Sequence, residues 1–308
     1  MSTYIDLGKF RAGERLQKEW GFGGQRRWRD GLLLLAFFFG GVGAGQFLVS
    51  TLIVKWPISA LIGLLIVLVG KGAAHILFLG RPSRFWRIFF RPQTSWISRG
   101  LIFMTIFVIF GALYLAPDLG FDWLPWSSSS TTGIALWIVA ALASLFMMVY
   151  DGFLLASGRS IPSWHSGIIP MLFAIYSLDS GIAITSTISA LSGRIETVAE
   201  AAYLDTLLLL AVLASLGVYL LTMSGTSPAA RLSLRNLLVG GVAPFFIGGA
   251  IIAGVVIPLI LIYLASSISL SYLNLALSLT AVAGILALLG DLFVRHSILK
   301  VGYHISLI

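Results

Sequence analysis

The 308-residue chain contains no cysteine and few charged side chains. Without thiols it forms no internal disulfide and ligates no iron–sulfur cluster through cysteine, so any such centre must belong to another subunit. Charged residues make up 10% of the chain and hydrophobic residues 58%, whereas soluble domains carry about 25% charge. These proportions exclude an ordinary soluble protein and predict an integral membrane protein.

Apolar stretches long enough to cross a bilayer recur along the chain. A helix needs about 20 apolar residues to span a hydrocarbon core about 30 Å thick. We place eight spans at residues 31–54, 58–79, 98–116, 133–156, 166–190, 203–223, 237–265 and 272–294. The predicted fold is therefore an all-α membrane protein with eight transmembrane helices. We divide it into a polar N-terminal segment, 1–30, a part with five helices, 31–190, and a part with three helices and a short tail, 191–308.

The positions of the basic residues predict the orientation. The formal net charge is +8, but the lysines and arginines lie in short segments beside apolar spans, which is typical of topology signals rather than of nucleic-acid binding. Seventeen of the 20 are on the side of the two termini, mainly in residues 1–30 and 80–100, whereas only Lys55 and Arg194 are on the other side. The positive-inside rule predicts that both termini face the cytoplasm, with the chain in the inner membrane.

Residues 80–100, GRPSRFWRIFFRPQTSWISRG, form a basic and aromatic connection between the second and third spans. Arginines and tryptophans beside hydrophobic spans are typical of the membrane interface. We predict that this connection also docks a partner subunit. The arginines that would offer the surface are Arg81, Arg84, Arg87, Arg91 and Arg99.

Several ionisable residues lie inside the spans, where a charge costs about 2.5–3.5 kcal/mol on insertion scales. Lys71 either extends its ammonium group to the lipid headgroups or uses it to bind a ligand or to pair with a buried acid. Asp179 lies near the middle of the fifth span, one turn beyond Tyr176, and is a candidate for a proton relay with Tyr176 or for a buried partner of Lys71. We expect Asp291 to form an ion pair with Arg295, four residues later on its helix.

Most intramembrane polar groups lie in the half of the membrane near the basic connection. A quinone suits such a place, since its tail is apolar, its carbonyls need hydrogen-bond donors, and its reduction takes two protons. The candidate quinone-binding residues are Lys71, His75, Tyr150, Asp151, Trp164 and His165. The quinone could be menaquinone or ubiquinone. A haem is disfavoured, because only His75 and His165 could serve as paired axial ligands.

A glycine-rich run in the first span, GGVGAG at residues 40–45, could suggest a dinucleotide-binding loop. That interpretation requires a strand before the glycines and a helix after them, and the sequence indicates neither. Gly41 and Gly45 instead have the spacing that lets two membrane helices approach closely. We therefore predict a helix–helix contact at this run.

Four motifs together resemble a known family. They are LGRPSRFWR…RPxTSWISRG at residues 79–100, YxGxLL at 150–155, IPxWxxxxxP at 161–170 and GDLFVRHSILKVG at 290–302. The sequence resembles the NrfD-like membrane subunits, which include the polysulfide reductase anchor. The resemblance implies eight helices in two four-helix bundles, without haem. It also implies electron exchange between quinone and an iron–sulfur subunit attached to a molybdopterin catalytic subunit.

The resemblance assigns roles to individual residues. Tyr150 matches the tyrosine that hydrogen-bonds the quinone, and residues 95–99, with Ser95 and Trp96, match the loop that faces the iron–sulfur subunit. Residues 32–39 are wholly apolar, although the first helix of the family contributes polar contacts to the quinone. This difference leaves open a structural anchor without a working quinone site.

A proton-coupled secondary transporter is a further alternative, motivated by eight spans and the deep Asp179, although the two halves show no similarity. No segment outside the membrane is long enough to fold into a catalytic domain. We therefore expect a subunit of an oxidoreductase complex that is not catalytic alone.

Overall fold

The computed structural model describes residues 27–79, 81–268 and 272–303, with residues 27–30 described by backbone only. In this part of the chain every long element is a helix and there is no strand. The eight spanning helices and one shorter helix are α1 (Arg27–Leu52), α2 (Pro57–Phe78), α3 (Trp96–Leu115), α4 (Thr131–Ala156), α5 (Ile168–Leu191), α6 (Ile195–Thr226), α7 (Pro228–Val239), α8 (Pro244–Ser267) and α9 (Leu273–Val301). All except α7 are long and apolar enough to cross a membrane, which confirms the prediction of eight transmembrane helices.

The predicted start of the seventh span, at residue 237, is wrong. Residues up to Val239 belong to α7, a separate 12-residue helix, and α8 begins at Pro244. The Ser227 hydroxyl caps α7 by accepting a hydrogen bond from the Ala230 amide (3.1 Å), and Pro228 suits the first turn because it lacks an N–H that would need a partner. Gly240 and Gly241 then separate α7 from α8.

The helices alternate in direction, so their connections lie at two ends of the molecule. We call the end with residues 79–95, residues 157–167 and α7 the basic end, and the other the opposite end. Arg295 was counted with the loops of the basic end, but it lies buried inside α9, so that count was too high by one. Segment 1–30 lies outside the described residues except for its last four, and the orientation in the membrane stays a prediction.

Helix α1 is central, because it packs against α2, α4 and α5 and also reaches α9. One hydrophobic cluster, with Phe47, Phe107 and Met147, joins α1, α2, α3 and α4. A second cluster, with Phe173 and Phe246, lies mainly among α5, α6, α8 and α9. The division into two four-helix bundles stays a prediction.

The glycine run of α1 makes backbone contacts on two sides. A Cβ atom at Gly43 would lie 2.5 Å from the Gly63 carbonyl oxygen of α2, and one at Gly45 would overlap the Ser177 carbonyl of α5. Gly181 of α5 faces Gly45 in the same way. Only glycine permits this spacing, so the run serves close helix packing, as its GxxxG pattern predicts.

Candidate functional site

A fully buried ion pair lies between α2 and α4. Lys71 Nζ is 3.3 Å from Asp151 Oδ1, and both side chains are 1% exposed. Nζ also donates a hydrogen bond to the Ala36 carbonyl of α1 (3.2 Å). Lys71 therefore does not extend to the headgroups, and the predicted pairing of Lys71 with Asp179 is wrong, because Asp151 takes that place.

Local structure brings Lys71 to this position. Residues Ile66–Lys71 form a π-helical segment within α2, which places more residues in a turn than an α-helix and often occurs at functional sites. The ammonium group then needs free space beside α1, and Gly40 provides it. A Cβ atom at Gly40 would come 2.5 Å from Nζ.

Tyr150 completes this cluster. Lys71 Nζ lies 4.6 Å from the centre of the Tyr150 ring, and the tyrosine is almost fully buried. Gly100 of α3 lies against the ring edge, where any Cβ atom would overlap it. The structure thus brings together three predicted residues, and they combine a cation, a phenol and a carboxylate out of contact with water.

His75 lies one turn beyond Lys71, toward the basic end, and is partly buried. Its Nδ1 donates a hydrogen bond to the Lys71 carbonyl (3.0 Å), which fixes the ring beside the ion pair. His75 therefore borders the Lys71–Tyr150–Asp151 cluster rather than belonging to it.

Trp164 and His165 have other contacts. Trp164 Nε1 donates a hydrogen bond to the Ile298 carbonyl of α9 (2.7 Å), and the indole joins the second hydrophobic cluster. His165 Nδ1 lies 2.5 Å from the Ala156 carbonyl oxygen at the end of α4. These contacts attach the α4–α5 connection to α9 and α4, and the structure does not bring either residue to Lys71.

A second buried ion pair lies on α9. Arg295 Nε is 2.7 Å from Asp291 Oδ1, and both side chains are fully buried, so the predicted pair four residues apart is confirmed. Ser180 of α5 donates to Asp291 Oδ2 (3.1 Å), and Arg295 Nη2 donates to Ser177 Oγ (3.3 Å). A Cβ atom at Gly41 would lie 2.6 Å from Arg295 Nη2. Helix α1 therefore lies between the two ion pairs, with Gly40 beside Lys71 and Gly41 beside Arg295.

Asp179 is the least satisfied charged group in the described chain. It is fully buried, and neither carboxylate oxygen has a hydrogen-bond partner among the described residues. The same holds for the Tyr176 hydroxyl, one turn earlier on α5. Buried polar groups without partners are uncommon and need an explanation, such as bound water or a functional role.

Asp205 of α6 is a residue that the sequence analysis missed. It is buried, and it acts electrostatically on Asp179, as Asp291 also does. Asp205 lies in the half of α6 nearer the opposite end, Asp179 near the middle of α5, and Asp291 in the half of α9 nearer the basic end. The three carboxylates thus lie at different depths between the opposite end and the basic end. The signal in the sequence was a lone acid inside the sixth span.

The two ion pairs contact neighbouring residues of α1. Gly40 lies against Lys71, and the next residue, Gly41, lies against Arg295.

The predicted docking residues divide into two groups. Arg81, Arg84, Arg87 and Arg91 are exposed and lie in or beside a 3₁₀ helix, Pro82–Phe90, that has no buried residue. The other three, Ser95, Trp96 and Arg99, lie at the turn that leads into α3. Ser95 Oγ accepts a hydrogen bond from the Ser98 amide (3.3 Å), and Arg99 donates to the Pro92 and Gln93 carbonyls (2.7 and 2.8 Å).

Trp96 lies at the centre of a stack at this turn. The Arg99 guanidinium is 4.5 Å from the Trp96 ring centre, and the Trp96 ring stacks on Phe153 of α4 with a centroid distance of 5.0 Å. Ser95, Trp96 and Arg99 therefore hold the connection in place, and the four outer arginines form the exposed basic surface.

Comparison with known proteins gives consistent matches. A family model described as "Polysulphide reductase, NrfD" matches residues 24–306. Among curated proteins, the chain is 28% identical to a sulfite dehydrogenase subunit of Allochromatium vinosum over 148 residues, 45% of this chain and 44% of that protein. It is 26% identical to "Protein NrfD" of Escherichia coli over 179 residues, 53% of this chain and 54% of that protein. The chain spans about half the length of these curated relatives.

Because the family match covers nearly all of the sequence and the eight apolar helices agree with it, the chain belongs to the NrfD family.

Proposed function

We propose that the chain is the quinone-reactive membrane subunit of a respiratory oxidoreductase complex. Electrons would pass between the quinone pool and an iron–sulfur subunit attached to a molybdopterin catalytic subunit. The observation that carries this proposal is the buried cluster of Lys71, Tyr150 and Asp151. A structural anchor has no need for such a cluster, because burying an ion pair seldom adds stability.

The chemistry of the cluster suits a quinone. The Lys71 ammonium and the Tyr150 hydroxyl are hydrogen-bond donors for a ring carbonyl, whereas Asp151 can pass protons to Lys71. Reduction of a quinone to a quinol consumes two electrons, which the iron–sulfur partner supplies, and two protons, which enter through Asp151 and Lys71. Helix α1 contributes the Ala36 carbonyl that orients Nζ.

Substitution of Tyr150 tests the site. In the intact complex, Tyr150→Phe should lower quinone-linked turnover by about tenfold or more, the effect of losing a hydrogen bond to a buried group. The measurement is the rate of quinol oxidation or quinone reduction at saturating partner substrate. Tyr263→Phe, on an exposed face of α8, is the matched control. Unchanged rates in Tyr150→Phe and in Lys71→Ala would favour the structural anchor instead.

We propose that the iron–sulfur partner docks on the four outer arginines, with the basic end in the cytoplasm. Arg84 and Arg87 lie three residues apart in the 3₁₀ helix, which has three residues per turn, so they share one face. A nine-residue helix without buried residues has little stability alone. An acidic partner surface would supply both the missing contacts and the complementary charge.

Charge reversal tests this docking surface. Arg84→Glu combined with Arg87→Glu should weaken binding of the purified partner subunits by about tenfold or more at low salt, because like charges would then face each other. Raising the ionic strength should reduce the difference, since exposed charges are screened. Arg231→Glu combined with Arg235→Glu reverses two exposed charges on α7, at the same end. Equal loss in both double variants would show general charge attraction rather than a defined docking site.

We also propose that Tyr176 and Asp179 belong to a proton relay, extended by Asp205 and Asp291. The relay would connect the opposite end to the ion pairs. Its support is the series of buried carboxylates and the absence of hydrogen-bond partners for Asp179 within the described part of the chain. A carboxyl group without fixed partners can accept and release protons through bound water.

A further inference from the structure

The 3₁₀ helix Pro82–Phe90 exposes aromatic side chains beside its arginines. Phe90 is 71% exposed, Trp86 51% and Phe85 46%, and no residue of the helix is buried. Large apolar side chains that are exposed next to one another mark a surface that usually contacts a protein or a membrane. The question is therefore what covers these side chains.

The helix has one basic side and two apolar sides. A 3₁₀ helix has three residues per turn, so every third residue lies on the same side. Arg84 and Arg87 share one side. The other two sides carry Phe85 with Ile88 and Trp86 with Phe89. A protein that docks on the arginine side would leave both aromatic sides uncovered.

The helix is attached to the ends of two spanning helices. It packs on α3 and on the last part of α2, Gly72–Phe78. Only three residues separate Phe78 from Pro82, so the helix begins at most about 14 Å from the end of α2. These attachments place the helix at the edge of the hydrocarbon core that α2 and α3 cross.

The neighbouring surface of both spanning helices is apolar. Leu77, near the end of α2, is 56% exposed, and Ile97, in the first turn of α3, is 46% exposed. Lipid tails are as apolar as such side chains, so these residues can remain exposed to lipid. Because Pro82–Phe90 contacts both helices, Phe85 and Trp86 continue this lipid-facing surface into the connection.

We propose that Pro82–Phe90 lies in the membrane interface, with Phe85 and Trp86 inserted among the lipids and Arg84 and Arg87 turned toward the water. Interfacial helices bury their apolar sides at the boundary between headgroups and acyl chains. The lipid stabilises a helix that is weak alone, because a 3₁₀ run of nine residues is unusually long. The inference does not rest on the quinone reaction. It adds a lipid partner and leaves the arginine side free for a protein.

The depth of individual side chains tests this orientation. Because the chain has no cysteine, one introduced cysteine carries one spin label. Phe85→Cys, Trp86→Cys and Arg84→Cys are labelled separately, in lipid nanodiscs without partner subunits. Electron paramagnetic resonance measures collisions with oxygen, which concentrates in lipid, and with a water-soluble nickel complex. We expect oxygen collisions to dominate at positions 85 and 86, and nickel collisions at position 84.

Two further labelled positions calibrate the measurement. Leu221→Cys, at a residue of α6 that is 72% exposed, gives the value in lipid. Asp122→Cys, in the exposed connection at the opposite end, gives the value in water. Nickel collisions at positions 85 and 86 as frequent as at position 122 would overturn the proposal. If binding of the partner subunits then removed those collisions, a protein rather than lipid would cover the aromatic sides.

Substitutions at the same two residues test whether lipid holds the helix. With the label at Arg84→Cys, Phe85→Ser combined with Trp86→Ser should increase the mobility of the label, because serine does not anchor the helix in lipid. Phe85→Leu combined with Trp86→Leu should keep the original spectrum, since leucine is apolar. Both residues are exposed, so neither pair of changes disturbs the packing of the spanning helices. Equal label mobility in the two double variants would overturn the proposal.

Discussion

Replacing Asp151 with leucine should destabilise the folded chain by about 3–5 kcal/mol, the usual cost of leaving one partner of a buried ion pair without the other. Lys71 would then remain in the protein interior with its ammonium group bonded to the Ala36 carbonyl but without a counter-charge. Quinone turnover should also be lost, because the proton supply to Lys71 passes through this carboxylate.

Unfolding in mixed detergent micelles, followed by tryptophan fluorescence, measures the change in stability. Asp122→Leu removes an exposed acid at the opposite end and should change the free energy of unfolding little. Combining Lys71→Met with Asp151→Leu should recover most of the stability, since both charges leave the interior together. Turnover should stay low in that double variant. If it were as active as the native chain, the ion pair would have no part in the reaction.

Replacing Asp179 with asparagine should abolish proton uptake from the opposite end during quinone turnover. The amide has nearly the shape of the carboxyl group but cannot carry a proton at neutral pH, so packing is preserved while the relay is interrupted. We expect uptake to fall by about 10²-fold or more, the range typical of losing a positioned proton-transfer group. Asp205→Asn should have the same effect, because it interrupts the series nearer its start.

Proteoliposomes with a pH-sensitive dye on one side measure this uptake while electron transfer is followed separately. Asp118→Asn, an exposed acid at the opposite end, is the matched control. Uptake that continues unchanged in both Asp179→Asn and Asp205→Asn would rule out the relay. Asp179 would then be a buried acid of unexplained structural role.

The sequence alone predicted the features that depend on local spacing. Hydrophobic length was sufficient for eight spans, and the interval of four residues was sufficient for the Asp291–Arg295 pair. Contacts between helices that are far apart in the sequence could not be predicted in this way. Lys71 was identified as significant, but its partner depends on how α2 and α4 are placed around α1, which no local pattern contains.

Other features were present in the sequence without being used. Ser227 followed by Pro228 is a helix-start signal, and it marks the separate helix α7, whose last three residues were assigned to the seventh span. Asp205 was visible as an acid within an apolar run, but its meaning required its neighbour Asp179 on another helix. Trp164 and His165 were assigned to the quinone because they lie in the same half of the membrane as the other polar groups, whereas in the structure they form hydrogen bonds with α9 and α4.

The glycine contact between α1 and α5 has a consequence for how the protein is made. Gly45 meets Gly181 and Ser177, more than a hundred residues later in the chain, so α1 enters the bilayer long before its partner is synthesised. During that interval the hairpin of α1 and α2 can already provide Gln46 Nε2 with its acceptors Ser50 and Ser59, whereas Gln46 Oε1 accepts from Thr185 of the later helix α5. Lys71 has no ion-pair partner until α4, which contains Asp151, has been synthesised. Before α4 is inserted, Lys71 therefore has no counter-charge, and we expect its ammonium group to extend to the headgroups until then.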